Sequence, residues 1–143
     1  TTMKIVDKDS TKSLFNVMFT IEGEPASKAN SRKLVMIKGR MVPIKSQKAL
    51  NYVKEFQKQI PKIDPLTEDY VKVEMMIYYA SRRPDLDESL ILDCMQNYVY
   101  YNDRQVKEKH IYWGLDKENP RTIIRVSEFR QEDIPDYLTK LPL

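Results

Sequence analysis

Thiol and imidazole are nearly missing from this chain of 143 residues, which has one cysteine, Cys94, and one histidine, His110. A lone cysteine excludes an intramolecular disulfide and any multi-cysteine metal site. With a single imidazole beside it, the chain is also short of the nitrogen and sulfur ligands that a zinc centre prefers. No apolar run approaches the roughly 18 residues needed to cross a bilayer, and the N-terminal stretch lacks a signal-peptide pattern. These absences favour a reducing, cytoplasmic setting and no membrane association. Repeats and low-complexity tracts are missing too. The rest is ordinary for a globular chain, with 41% hydrophobic and 31% charged residues. The length suits one domain with one core, expected over 1–143, with 1–12 and 130–143 as peripheral tails.

The formal net charge of +3 hides an uneven distribution. Between Lys28 and Lys62 ten Lys/Arg stand against one acid, Glu55, so that segment carries +9 and the remainder −6. Such a block attracts polyanions and neutralises phosphates without reading bases. A solvated helix face has the same composition, so charge alone does not separate the two readings.

Phe15, Val17, Phe19 and Ile21 alternate along 14–21 and predict a half-buried strand ending in the turn residues Glu22-Gly23-Glu24-Pro25. Leu34 to Lys38 reads as a short strand, with Gly39-Arg40 as the tip of a hairpin returning through Met41 and Val42. Ser46 is a candidate N-cap for a helix in which Ala49, Val53, Phe56 and Ile60 form one stripe ending before Pro61. Val71, Val73, Met75, Ile77 and Tyr79 share one side of the clearest strand. A second helix is expected from about Leu86 to Gln96, with Leu86, Leu90 and Cys94 on its buried stripe. Two further strands are expected at about 107–113 and 121–128. The order is no regular βα alternation. The expected fold class is therefore α+β: a mixed, mostly antiparallel sheet of about four to five strands with two main helices on one face.

The chemistry-bearing residues are acids. Asp85-Leu86-Asp87 follows a buried strand and opens a helix, and Asp103 comes shortly after it. One Asp-x-Asp is expected by chance in a chain with eleven aspartates, and either residue could simply cap the helix. Two acids directly after Arg82-Arg83 exceed what a cap requires. If Asp103 folds back beside them, carboxylates about 5 Å apart repel by roughly 3 kcal/mol at an effective dielectric near 20. A proton or a cation must relieve that. Oxygen-only ligands suit Mg²⁺ or Mn²⁺, which could polarise a phosphodiester and generate hydroxide from water. Arg82 and Arg83 are the first candidates to clamp phosphates, followed by Lys28, Arg32 and Lys33.

The runs Arg82-Arg83-Pro84-Asp85-Leu86-Asp87, Leu92-Asp93-Cys94-Met95 and Val99-Tyr100-Tyr101-Asn102-Asp103-Arg104-Gln105-Val106, preceded by Ile21-Glu22-Gly23-Glu24-Pro25 with Lys28 and Arg32, resemble the signature of RusA-like Holliday-junction resolvases over roughly 14–128. The resemblance implies a homodimeric, Mg²⁺-dependent DNA endonuclease of bacterial or phage-infected cells. It would resolve four-way junctions by paired nicks that leave 5′-phosphates. The family's catalytic, metal-holding aspartates fall on Asp85, Asp87 and Asp103. Two positions depart from the pattern. Glu88 stands where the family has Asn, and neither Ser89 nor Ile91 supplies the family's helix lysine, which leaves a basic residue near Lys28–Arg32 or at Arg82/Arg83 to replace it. The rival readings are a catalytically weakened binder of branched DNA, and a nuclease acting on flaps or forks.

Other conspicuous residues have bland readings. Asp93, in mid-helix, is expected to make a structural hydrogen bond. Cys94 and Trp113 are expected in the core, and His110 in packing or at the surface. Tyr98, Tyr100 and Tyr101 could stack on splayed bases, although strand packing or a dimer seam is the commoner use.

Overall fold

The computed structural model describes residues 3–4, 15–27 and 32–140. Seven strands and three helices follow in the order β1 (Met3–Lys4), β2 (Asn16–Glu22), β3 (Arg32–Ile37), β4 (Arg40–Lys45), α1 (Gln47–Gln59), β5 (Val71–Tyr79), α2 (Ser89–Cys94), β6 (Val106–Leu115), β7 (Arg121–Glu128) and α3 (Asp136–Thr139). Five strands form one sheet in the order β1-β2-β7-β5-β6, while β3 and β4 form a separate two-stranded ribbon. Only β5 and β6 are parallel, and their crossover carries α2. The α+β expectation holds with one change: α1 is the one substantial helix, and α2 has six residues.

Period-two patterning becomes cross-strand rows. Val17, Val126 and Val73 face one another, then Phe19, Ile124 and Met75, then Ile21, Thr122 and Ile77. All nine are buried. The alternate residues of β5 are half-exposed, so one sheet face is covered and the other is open. Ala49, Tyr52 and Phe56 of α1 cover the rows together with Leu90, Ile91 and Leu92 of α2, in one continuous core. Ser46 caps α1 as expected, its hydroxyl accepting from the Ala49 amide at 3.2 Å. No helix among the described residues is long and apolar enough to span a membrane.

Four expectations change. The second helix starts at Ser89 rather than Leu86, and Leu86 is exposed. The cause is Tyr79, whose hydroxyl donates to the Asp85 carbonyl at 3.1 Å and accepts from the Asp87 amide at 3.2 Å. A helix from Leu86 would join the Asp85 carbonyl to the Ser89 amide, but that carbonyl serves the tyrosine and that amide donates to Asp87 Oδ1 instead. Trp113 extends the row through Ile77, but β6 is an edge strand. The indole is 39% exposed and stacks on the Tyr79 ring with centroids 6.5 Å apart. The hairpin tip is Lys38-Gly39, both with positive φ as a type I′ turn uses, and not Gly39-Arg40. The N-terminal stretch read as a tail contributes β1, which pairs at the sheet edge with β2.

Candidate active site

Asp87 begins as a local capping residue. Its Oδ1 accepts from the Ser89 amide at 3.0 Å and from the Ser89 hydroxyl at 2.7 Å, closing the chain into α2. Tyr79 holds the same residue from the other side through its backbone, which fixes where the carboxylate stands. The Tyr79 phenol is raised above the usual tyrosine range, first by burial, so it remains a neutral donor. Asp103 is fixed by amides instead. Asn102 opens a single 3-10 turn, accepting at its side chain from the Arg104 amide at 2.9 Å, and Gln105 completes a capping box. The Gln105 oxygen accepts from the amides of Tyr101 and Asn102, while its nitrogen donates to the carbonyls of Thr67 and Asp69. The Asp103 amide donates to Gln96 Oε1 at 3.0 Å. The Asn-Asp-Arg-Gln run is thus a clamp that holds one aspartate in place.

These elements meet at a cavity of about 100 Å³ lined by Asp87, Ser89 and Asp93 on one side and Arg32 and Lys45 on the other, with Ala26 and Leu90 behind. That volume suits an ion and two or three waters, at about 30 Å³ per water. Asp103 joins through Asp93, since the two carboxyls share a side-chain hydrogen bond. The Asp93 carboxyl is raised above the usual aspartate range, by partial burial first and Asp103 next, against a smaller lowering from Lys45 and Arg32. The expected structural hydrogen bond of Asp93 is therefore a bond to another acid.

Asp85 is exposed, and its backbone carbonyl is what Tyr79 holds. Arg82 and Arg83 are exposed in the same connection, and Lys33 is exposed on β3. Lys28 lies outside the described residues. Glu88, the departure from the family pattern, pairs with Lys109 at 3.2 Å. Tyr100 is fully buried with its hydroxyl donating to the Leu92 carbonyl at 2.7 Å, Tyr98 is half-buried, and Tyr101 is exposed. Cys94 is buried, which pushes its thiol up to about 12 and leaves it unreactive. His110 is exposed, 2.7 Å from Glu108.

Sequence reasoning missed Lys45 and the pairing of Asp93 with Asp103. Lys45 was visible as one of the ten cations, but only its register with Arg32 across the ribbon brings it to the acids. The donors fit a hard divalent cation in kind, being carboxylate oxygens and a hydroxyl. Among the described residues no three acids, histidines or cysteines form a group that could hold a metal ion.

No curated protein matches this chain. The family model described as Endodeoxyribonuclease RusA matches residues 22–127, which is 106 of the 143 residues and includes the ribbon, the Tyr79 anchor, α2 and the Asp103 clamp. The chain belongs to the RusA family of endodeoxyribonucleases.

Proposed function

We propose that this protein is a divalent-metal-dependent endonuclease that cuts four-way DNA junctions by paired hydrolysis of phosphodiester bonds. The observation that carries the reading is the cavity where Asp87 and Asp93, the latter bonded to Asp103, face Arg32 and Lys45. Acids that gather beside cations with room for little more than an ion suit one phosphate group and a metal. Mg²⁺ or Mn²⁺ would be held by Asp85, Asp87 and Asp103; bound there, it would supply charge neutralisation at the scissile phosphate and a water of lowered pKa.

The chain's own groups do the rest. Arg32 and Lys45 seat the scissile phosphate, and Lys45 supplies the basic charge that Ser89 and Ile91 do not. Arg82, Arg83 and Lys33 neutralise flanking phosphates, joined by Lys28. The neighbouring Asp103 favours the protonated form of Asp93. Ser89 orients the Asp87 carboxylate. Paired cuts need two such sites, which a homodimer supplies, and the products carry 5′-phosphates.

The test is nicking of a labelled four-way junction and a matched linear duplex, each with Mg²⁺ and with chelator. Wild type should nick the junction only with metal. Asp87→Asn should lower the rate at least a hundredfold while junction binding holds or tightens, because a negative charge near phosphate is gone. Full cleavage by Asp87→Asn would overturn the assignment. The open spacing of the acids favours one second reading, a branched-DNA binder without cleavage. Tight junction binding with no nicking at any Mg²⁺ or Mn²⁺ concentration would establish it. Equal cutting of flaps or forks would widen the substrate class.

A further inference from the structure

The β3–β4 ribbon is built unlike the rest of the molecule. Each strand packs chiefly on the other, and among the described residues no third strand pairs with them. A bare two-stranded hairpin is marginal in water, so apolar residues on its surface call for a partner. Directly opposed residues share a face, and the register opposes Arg32 to Lys45, Leu34 to Pro43 and Met36 to Met41. One face therefore begins with the two cations at the acidic cavity and continues outward through Leu34, Met36 and Met41, which are 63%, 65% and 55% exposed. From Arg32 to Lys45 there are five cations and no acid.

We infer that this face of the ribbon is an arm for branched DNA, with Leu34, Met36 and Met41 wedged against bases unstacked at the branch point and the cations on the flanking phosphates. The inference rests on the proposed DNA substrate and deepens it. Charge selects the partner: an apolar strip ringed by five positive groups repels a basic protein surface and fits a polyanion that can present flat apolar rings. Dimensions agree, since six residues per strand span about 20 Å and a two-stranded ribbon fits the major groove. Leucine and methionine are among the side chains that proteins insert between base steps. Unstacking costs least where bases already lack a continuous neighbour, as at a branch. Continuity with Arg32 and Lys45 means that a backbone running along the arm enters the cavity of Asp87 and Asp93.

The experiment uses the whole chain in chelator, so cleavage plays no part. The probes are a four-way junction with 2-aminopurine at the crossover and a linear duplex with the same base in the same sequence. Wild type should raise the fluorescence severalfold on the junction and little on the duplex. Met36→Ser/Met41→Ser should lose most of that rise while affinity weakens less than about tenfold, since phosphate contacts remain. Lys38→Ala/Arg40→Ala should keep the rise at saturation but lower the slope of log affinity against log salt by about 2. Both variants change exposed residues, and unaltered melting curves would confirm their fold. No fluorescence rise with wild type, or an undiminished rise with the serine variant, would overturn the inference. So would a wild-type dimer that the serine variant dissolves, because the face would then belong to a second copy. Metal-dependent nicking by wild type without a fluorescence rise sinks the arm and leaves the nuclease; a rise without nicking does the reverse.

Discussion

At the scale of single residues, the meeting of Asp93 with Asp103 bears most directly on stability. Asp93 has a raised pKa because its carboxyl is partly buried and meets Asp103. A carboxyl raised in the folded state binds its proton more tightly there than in the unfolded chain. Its stabilisation is fully present below the ordinary aspartate range and is lost as pH rises through the raised value. Metal-free protein should therefore lose stability as pH climbs out of the acid range. Asp93→Asn keeps a donor for Asp103 but cannot ionise. Because that burial is only partial and Asp93 stays open to water on its other side, the effect belongs with surface pairs, about 0.5–1 kcal/mol. In chelator at pH 7 the variant should melt about 2–4 °C higher than wild type, and at pH 4 the two should coincide. A lower melting point at pH 7 would show that the bond does not depend on the proton. Before the structure, Asp93 was legible only as a mid-helix acid needing a partner, since nothing local pairs residues 93 and 103.

At the scale of elements, the connection from β5 to α2 is what positions the chemistry, and one hydroxyl pins it. Tyr79→Phe preserves the ring against Trp113 but removes the bonds to the Asp85 carbonyl and the Asp87 amide. The cost should be about 1–2 kcal/mol of stability by thermal melting. The junction-nicking rate should fall about tenfold or more, because misplaced reacting groups cost rate steeply. An unchanged rate in a measurably destabilised variant would separate the anchor from catalysis. Elements were largely legible where periodicity is strong: β2, β5, β7 and α1 lie where alternation and the Ser46 cap place them. The shortened α2 was not, because Tyr79 takes the Asp85 carbonyl and the Asp87 side chain takes the Ser89 amide, the two groups that a helix from Leu86 would join. The hairpin shows how small the margin is. Placing the turn at Gly39-Arg40 shifts the register by two, separates Arg32 from Lys45 and hides the cationic wall of the cavity.

At the scale of the whole molecule, the proposed homodimer needs an interface, and we assign it to the open sheet face. Thr20, Ile123, Met76 and Tyr112 form one row on it, and Met18, Met76, Tyr78, Tyr112 and Ile123 line a shallow depression there. Met76→Glu/Tyr112→Glu should turn a dimer into monomers by sedimentation equilibrium, and convert paired nicks into single ones. A variant that remains dimeric would place the interface elsewhere. Assembly was not legible from sequence patterning, because an open sheet face reads the same whether water or a copy covers it. The strand order carries a different consequence. Strand β7 lies between β2 and β5, and Asn16 faces Ser127, so every core row runs through a strand from the far end of the chain. Long-range pairing of this kind completes late. A polypeptide still emerging from the ribosome, with synthesis not yet past Arg121, has two sheet halves with nothing to join them, and so no closed core on which the site can settle.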